Sequence, residues 1–105
     1  MSDKSKNDKK SDTAVLEREK VKKPDMYKVL LHNDHYTTME FVVDVLTTIF
    51  KKDRAEAVHL MLFVHQKGHA VAGIYSRDVA ETKVEKTLEY AREQGHPLLV
   101  TMEKE

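Results

Sequence analysis

The chain of 105 residues carries 18 Lys/Arg, 18 Asp/Glu, six His and no Cys. That length holds one domain, and the lack of cysteine excludes a disulfide framework, a thiolate zinc site and a cysteine nucleophile. No apolar run approaches the ~18 residues of a membrane span, and no basic stretch leads into an apolar one as in a secretory signal. The expectation is a soluble protein of a reducing, bacterial-type cytoplasm, with no membrane partner.

The zero net charge hides an asymmetry. Residues 1–24 carry eight Lys/Arg against five Asp/Glu, a balance of +3, while residues 25–105 carry ten against thirteen, a balance of −3. An acidic body argues against nucleic acid, whose binders show a basic footprint. Up to Pro24 only Met1, Ala14, Val15, Leu16 and Val21 are apolar, too few to offset the entropy of ordering the chain. Residues 1–24 are therefore predicted to be a flexible N-terminal extension, helical at most around Ala14 to Lys20. Stretched, it reaches ~80 Å; as a coil it spans ~25–30 Å.

Residues 25–105 form the predicted domain. Tyr27 to Leu31 reads as a strand running into the turn-formers Asn33, Asp34 and His35. Thr37-Thr38-Met39-Glu40 has the Thr-x-x-Glu form of a capping box. It opens a helix with Val42, Val45, Leu46 and Ile49 on one stripe. Asp53 with Glu56 marks a second helix start, and Ala57, Val58, Met61, Leu62 and His65 give that helix a face. Leu60 and Phe63 widen the face, so this helix is expected to be the most buried. The run Leu60 to Val64 fits a strand equally well by pattern alone; its helix-forming composition and the stop at Gly68 favour helix. Ala70 to Tyr75 is the second strand. Ser76 is the expected cap of a third helix, with Val79, Ala80, Val84, Leu88 and Ala91 on its apolar face and Gly95 and Pro97 at its end. Leu98 to Met102 closes the domain as a third strand.

The predicted fold is α+β, in the order β-α-α-β-α-β, with a three-stranded antiparallel sheet and three helices packed on one face. So few elements cannot cover both faces of a sheet.

Asn33, Asp34 and His65 offer an amide oxygen, a carboxylate and an imidazole nitrogen, three acceptors for the three N–H donors of a protonated amine. Met39, Met61 and Val64 lie near them in sequence, and methionine lines pockets that accept several shapes. An Asn-Asp pair also serves as a plain turn, and a histidine near a helix end as a structural residue. Composition leaves both readings open.

The longer pattern is more specific. Tyr27-Lys28-Val29-Leu30-Leu31-His32-Asn33-Asp34-His35-Tyr36-Thr37-Thr38-Met39-Glu40-Phe41-Val42 resembles the signature of ClpS, the adaptor family of the bacterial Clp protease. Leu60-Met61-Leu62-x-Val64-His65-x-x-Gly68, Val79-Ala80-Glu81-Thr82-Lys83-Val84, Tyr90-Ala91-Arg92-Glu93 and His96-Pro97-Leu98-Leu99 follow in family order and spacing. The resemblance covers about residues 24–105.

It implies an adaptor, not an enzyme, that binds proteins displaying N-terminal Phe, Tyr, Trp or Leu and hands them to ClpA for degradation by ClpP. By the same resemblance Asn33, Asp34 and His65 hold the free α-amino group, and Leu31, Thr37, Met39, Met61, Val64 and Leu98 line the side-chain pocket. Met39 would be the gatekeeper against β-branched residues. Tyr36, Asp78 and Lys83 would dock on the N-terminal domain of ClpA, with residues 1–24 serving delivery. No cofactor or metal is implied, and an acidic body of this size is expected to be monomeric.

The chain departs from the family pattern at His35, where a second Asp is usual, and at Thr38, where Pro is. Losing that carboxylate should weaken any preference for basic residues at the substrate's second and third positions. Asp78 stands for the usual Glu.

Three other readings compete. His32-x-x-His35 and His65-x-x-x-His69 have the spacings of zinc ligands, although Gly68 breaks the register between the second pair. Asp34 with His65 would make an acid–base couple, but no nucleophile elbow or phosphate-binding loop accompanies them. A purely structural interaction domain is the third, since a similar fold occurs in the C-terminal domain of the ribosomal stalk protein.

Overall fold

The computed structural model describes residues 24–105. The predicted extension, including the possible helix at Ala14 to Lys20, lies outside them except for Pro24. The elements are β1 (Met26–His32), α1 (Met39–Thr48), α2 (Arg54–Lys67), β2 (His69–Ser76), α3 (Arg77–Glu93) and β3 (Leu99–Lys104).

The three strands form one sheet in the order β2-β1-β3. β1 is central and antiparallel to both neighbours, pairing Leu31 with Ala70 on one side and with Val100 on the other. Alternation along β1 sends Val29 and Leu31 into the core, as period-two geometry requires. A bulge lies opposite Val29 and Leu30, where Ala72 of β2 has no partner. Beyond it Gly73 pairs with Val29. A Cβ there would run into the Tyr75 ring, so only glycine lets that ring lie over the strand.

The helices share one core with the sheet. Phe41, Val42, Val45 and Leu46 of α1, Ala57 and Val64 of α2, and Ala80 and Ala91 of α3 cluster with Val29, Leu31, Ala70, Ala72 and Val100. Burying each larger aliphatic side chain contributes roughly 1.5–3 kcal/mol. α3 packs across all three strands, whereas α2 packs on α1 and on β2. Thr87, fully buried on α3, donates its hydroxyl to the Lys83 carbonyl one turn earlier in the same helix at 2.7 Å. Other side-chain contacts link the elements. Tyr90 of α3 donates to the Asp44 carboxylate of α1, and Phe41 stacks on His96 with centroids 4.1 Å apart.

Three local expectations are corrected. α1, not α2, is the more buried helix: five of its ten residues are buried against two of fourteen in α2, whose Leu62 and Phe63 are 42% and 45% exposed. Three strands offer little width, and α3 spans all of it, so α2 lies toward the β2 side and one of its flanks is left to solvent. The N-cap of α1 is Thr38, whose hydroxyl accepts from Phe41 N at 3.0 Å. Thr37 is engaged elsewhere, and Glu40 stands one residue short of the capping-box position. Finally, Ser76 holds the cap position of α3 without a side-chain cap bond. The start of α2 follows expectation, with Asp53 accepting from Glu56 N at 2.8 Å, as does its end at Gly68 in the left-handed region, φ 95°.

Candidate functional site

The end of β1 and the end of α2 are brought together by one backbone hydrogen bond, from Asn33 N to Gly68 O at 2.8 Å. Gly68 in turn closes α2 by donating to Val64 O at 2.8 Å. A left-handed cap favours glycine because it has no Cβ to clash. His65, in the last turn of α2, is thereby anchored near the Asn33-Asp34 turn.

Asp34 organises the loop into α1. Its Oδ1 accepts from the backbone N–H of Tyr36 at 2.7 Å and of Thr37 at 2.6 Å, and its Oδ2 accepts the Thr37 hydroxyl at 2.8 Å. A carboxylate offers about four lone-pair sites. Three are occupied, so Oδ2 keeps one for a ligand. Burial alone would raise the Asp34 carboxyl. The amides of Thr37 and Tyr36, the Thr37 hydroxyl and the neighbouring His35 outweigh it and hold the group below its ordinary value, so the side chain is an anion at neutral pH.

These elements enclose a cavity of about 280 Å³ lined by Asn33, Asp34, His35, Thr37, Met39, Val42, Met61, Val64 and His65. The lining combines an amide, a carboxylate, a hydroxyl and two imidazoles with the apolar Met39, Val42, Met61 and Val64. The arrangement suits a small cation joined to an apolar group. Seven of the residues singled out from sequence line it. Leu31 and Leu98, also expected at the pocket, are 1% and 3% exposed and belong to the core, outside the lining. Val42 was read only as a core residue, yet its place three after Met39 on one helix face could have revealed it. His35 also lines the cavity.

The expected docking residues are not among those lining the cavity. Tyr36 is 79% exposed. Asp78 is exposed in the first turn of α3. Lys83 is held by the fold: its Nζ donates to Ile49 O at 2.6 Å and sits 5.9 Å and 5.7 Å from the Phe50 and Tyr75 ring centroids. Burial, with Lys51 and Lys86 nearby, lowers its proton affinity.

The histidine spacings do not converge. His32 is within 2.8 Å of the Thr101 hydroxyl and 6.0 Å, ring to ring, from His69, whereas His35 and His65 line the cavity. Among the described residues no group of three or more His, Asp or Glu side chains is placed to hold a metal ion, and no helix is long and apolar enough to cross a membrane. A larger concavity of about 590 Å³ lies along α3, but Glu85, Glu89, Arg92 and Glu93 surround its single apolar residue, Leu88. It lacks the mixed polar and apolar lining of the smaller cavity.

Fold and cavity together define a class: a small α+β domain with one cavity lined by both polar and apolar side chains. The family model described as "ATP-dependent Clp protease adaptor protein ClpS" matches residues 22–101. ATP-dependent Clp protease adapter proteins ClpS of Burkholderia mallei and Burkholderia cenocepacia are each 54% identical to the chain over 97 residues, covering 90% of it and 93% of the B. mallei protein. The structure of Agrobacterium tumefaciens ClpS2 bound to L-phenylalaninamide superposes with a TM-score of 0.76 at 40% identity, covering 79% of this chain and all of that one. The chain belongs to the ClpS family, whose members are adaptors of the Clp protease and not catalysts.

Proposed function

We propose that the chain captures proteins by a destabilising N-terminal residue, Phe, Tyr, Trp or Leu, and delivers them to ClpA–ClpP. The observation that carries this reading is one cavity lined both by Asn33, Asp34 and His65 and by Met39, Met61 and Val64. An α-ammonium placed there donates to the Asn33 amide oxygen, the free lone pair of Asp34 Oδ2 and a His65 ring nitrogen. An amine brought out of water without such partners would be costly.

The adjoining apolar wall takes the side chain, gaining roughly 1.5–3 kcal/mol for a fully buried one. Met39, 43% exposed at the cavity, meets a branch at Cβ, which Val and Ile carry and Leu and Phe lack. Acetylation removes the charge and donors and adds bulk. The likeness to a protein bound to L-phenylalaninamide, a free amine beside an aromatic side chain, supports this assignment.

In this reading residues 25–105 recognise and dock, through Tyr36, Asp78 and Lys83, and residues 1–24 serve delivery as a flexible extension. The chain acts as a cytoplasmic monomer on the N-terminal domain of ClpA. Two assays test it. A fluorescence anisotropy panel of peptides differing only in a first residue of Phe, Leu, Val or Arg should show binding for Phe and Leu alone. A reporter protein with N-terminal Phe should be degraded by ClpA–ClpP with ATP only when the chain is added. Equal binding of all four peptides, or no acceleration, rejects the proposal.

A further inference from the structure

Outside the amine cavity, two histidines meet on the face of the sheet turned away from the core. Alternation along β1 sends Val29 and Leu31 into the core and so turns His32 to the opposite face. His69 opens β2 directly across from His32 in the antiparallel pairing. Residues so placed share a face, with Cβ atoms ~4.5–5.5 Å apart, and the two ring centres are 6.0 Å apart. His32 is half-buried and His69 exposed, and neither lines the amine cavity.

From this geometry we infer that His32 and His69 together bind a divalent transition-metal cation such as Zn²⁺. Imidazole nitrogen suits zinc, copper and nickel. It binds zinc at ~2.0–2.1 Å, so two rings sharing a tetrahedral ion have their centres ~5 Å apart. The rings close that ~1 Å by side-chain rotation, which is fast at exposed positions. His32 Nε2 lies 2.8 Å from the Thr101 hydroxyl. With that hydroxyl accepting from Nε2–H, the lone pair is held on Nδ1, as an outer hydrogen bond does for a metal-binding histidine. Lys28 shares this face, but it is paired with Glu103 at 3.4 Å and stands four residues, ~13 Å, along the strand. Two protein ligands leave the other positions to water, so the ion is exchangeable and not a closed structural centre.

The position gives such an ion a consequence. His32 precedes Asn33 and His69 follows Gly68, the two residues joined by the backbone hydrogen bond that anchors the amine cavity. A shared cation therefore clasps β1 to β2 beside that bond and stabilises the folded state by mass action.

The test titrates Zn²⁺ into the full, untagged chain by isothermal titration calorimetry. One ion per chain is expected, and His32→Gln and His69→Gln should each weaken binding about tenfold or more. His59→Gln, at an exposed position on α2, should stay within about twofold of the parent. Zn²⁺ at about a hundredfold excess over Kd should raise the melting temperature of the parent by about 5 °C or more, and neither strand variant should show that rise. Circular dichroism without metal checks that each variant is folded, and His69→Gln decides the matter if His32→Gln fails that control. Parent-like affinity in His69→Gln overturns the inference. So does loss of binding in His65→Gln alone, which would move the ion to the imidazoles of the amine cavity. Several weakly held ions, with no effect of either strand variant, would also overturn it and show adventitious binding only.

Discussion

Replacing Asp34 separates its two tasks, building the loop and presenting a negative charge. In Asp34→Asn the side-chain oxygen can still accept from Tyr36 N and Thr37 N, now at 2.7 Å and 2.6 Å. The new NH₂ faces the Thr37 hydroxyl, now at 2.8 Å, and that hydroxyl can turn to accept. Fold stability should drop by no more than ~1 kcal/mol, the net value of one ordinary hydrogen bond. The pocket, however, loses an anion and an acceptor. A hydrogen bond to a charged group contributes ~1.5–3 kcal/mol, which corresponds to an affinity loss of ~10- to 150-fold for a peptide with N-terminal Phe. Asp34→Ala also removes all three loop hydrogen bonds and should lower stability further, by ~1–3 kcal/mol. Fluorescence anisotropy and urea unfolding on the same samples measure the two effects. Wild-type peptide affinity in Asp34→Asn, or equal destabilisation by Asn and Ala, would refute this division of labour.

Other expectations follow from single observations. Thr38→Ala removes the cap bond to Phe41 N and should cost about 1 kcal/mol in urea unfolding, whereas Thr37→Ala should leave the cap intact and instead loosen Asp34. Gly73→Ala drives a methyl group into the Tyr75 ring and should destabilise the protein by ~1–3 kcal/mol, with Tyr75→Ala in the same chain recovering part of the tolerance. The Asp34 carboxyl lies below its ordinary value in the fold, so its stabilisation is complete above about pH 4 and is lost as pH falls through the lower folded value. Acid titration of Asp34→Asn, followed by circular dichroism, should show a smaller loss of stability over that range than the parent.

The sequence made the element order readable because its punctuation is strong. Asp53 before a helical run, Gly68 after it, and Gly95 with Pro97 each have local consequences that tertiary packing does not override. Non-local competition was invisible. Thr37 and Thr38 both suit a cap, and the choice fell to Thr38 because the Thr37 hydroxyl goes to Asp34. The apolar richness of Leu60, Leu62 and Phe63 suggested a buried helix, but burial depends on how much sheet α3 leaves uncovered. At the site, Asn33, Asp34 and His65 were recognisable from the long motif, and composition alone could not separate them from a turn and a structural histidine. Leu31 and Leu98 belong to the core; alternation in β1 turns Leu31 inward with Val29, and Leu98 is buried just before β3 begins.

The central claim is that a free α-amine, held by Asn33, Asp34 and His65, is what the cavity recognises. It is tested most directly by titrating the chain and its His65→Ala variant against two peptides identical except for acetylation of the N-terminal Phe. The account predicts binding of the free-amine peptide alone, weakened about tenfold or more by His65→Ala. Equal binding of the acetylated peptide, or unchanged affinity in His65→Ala, would contradict it.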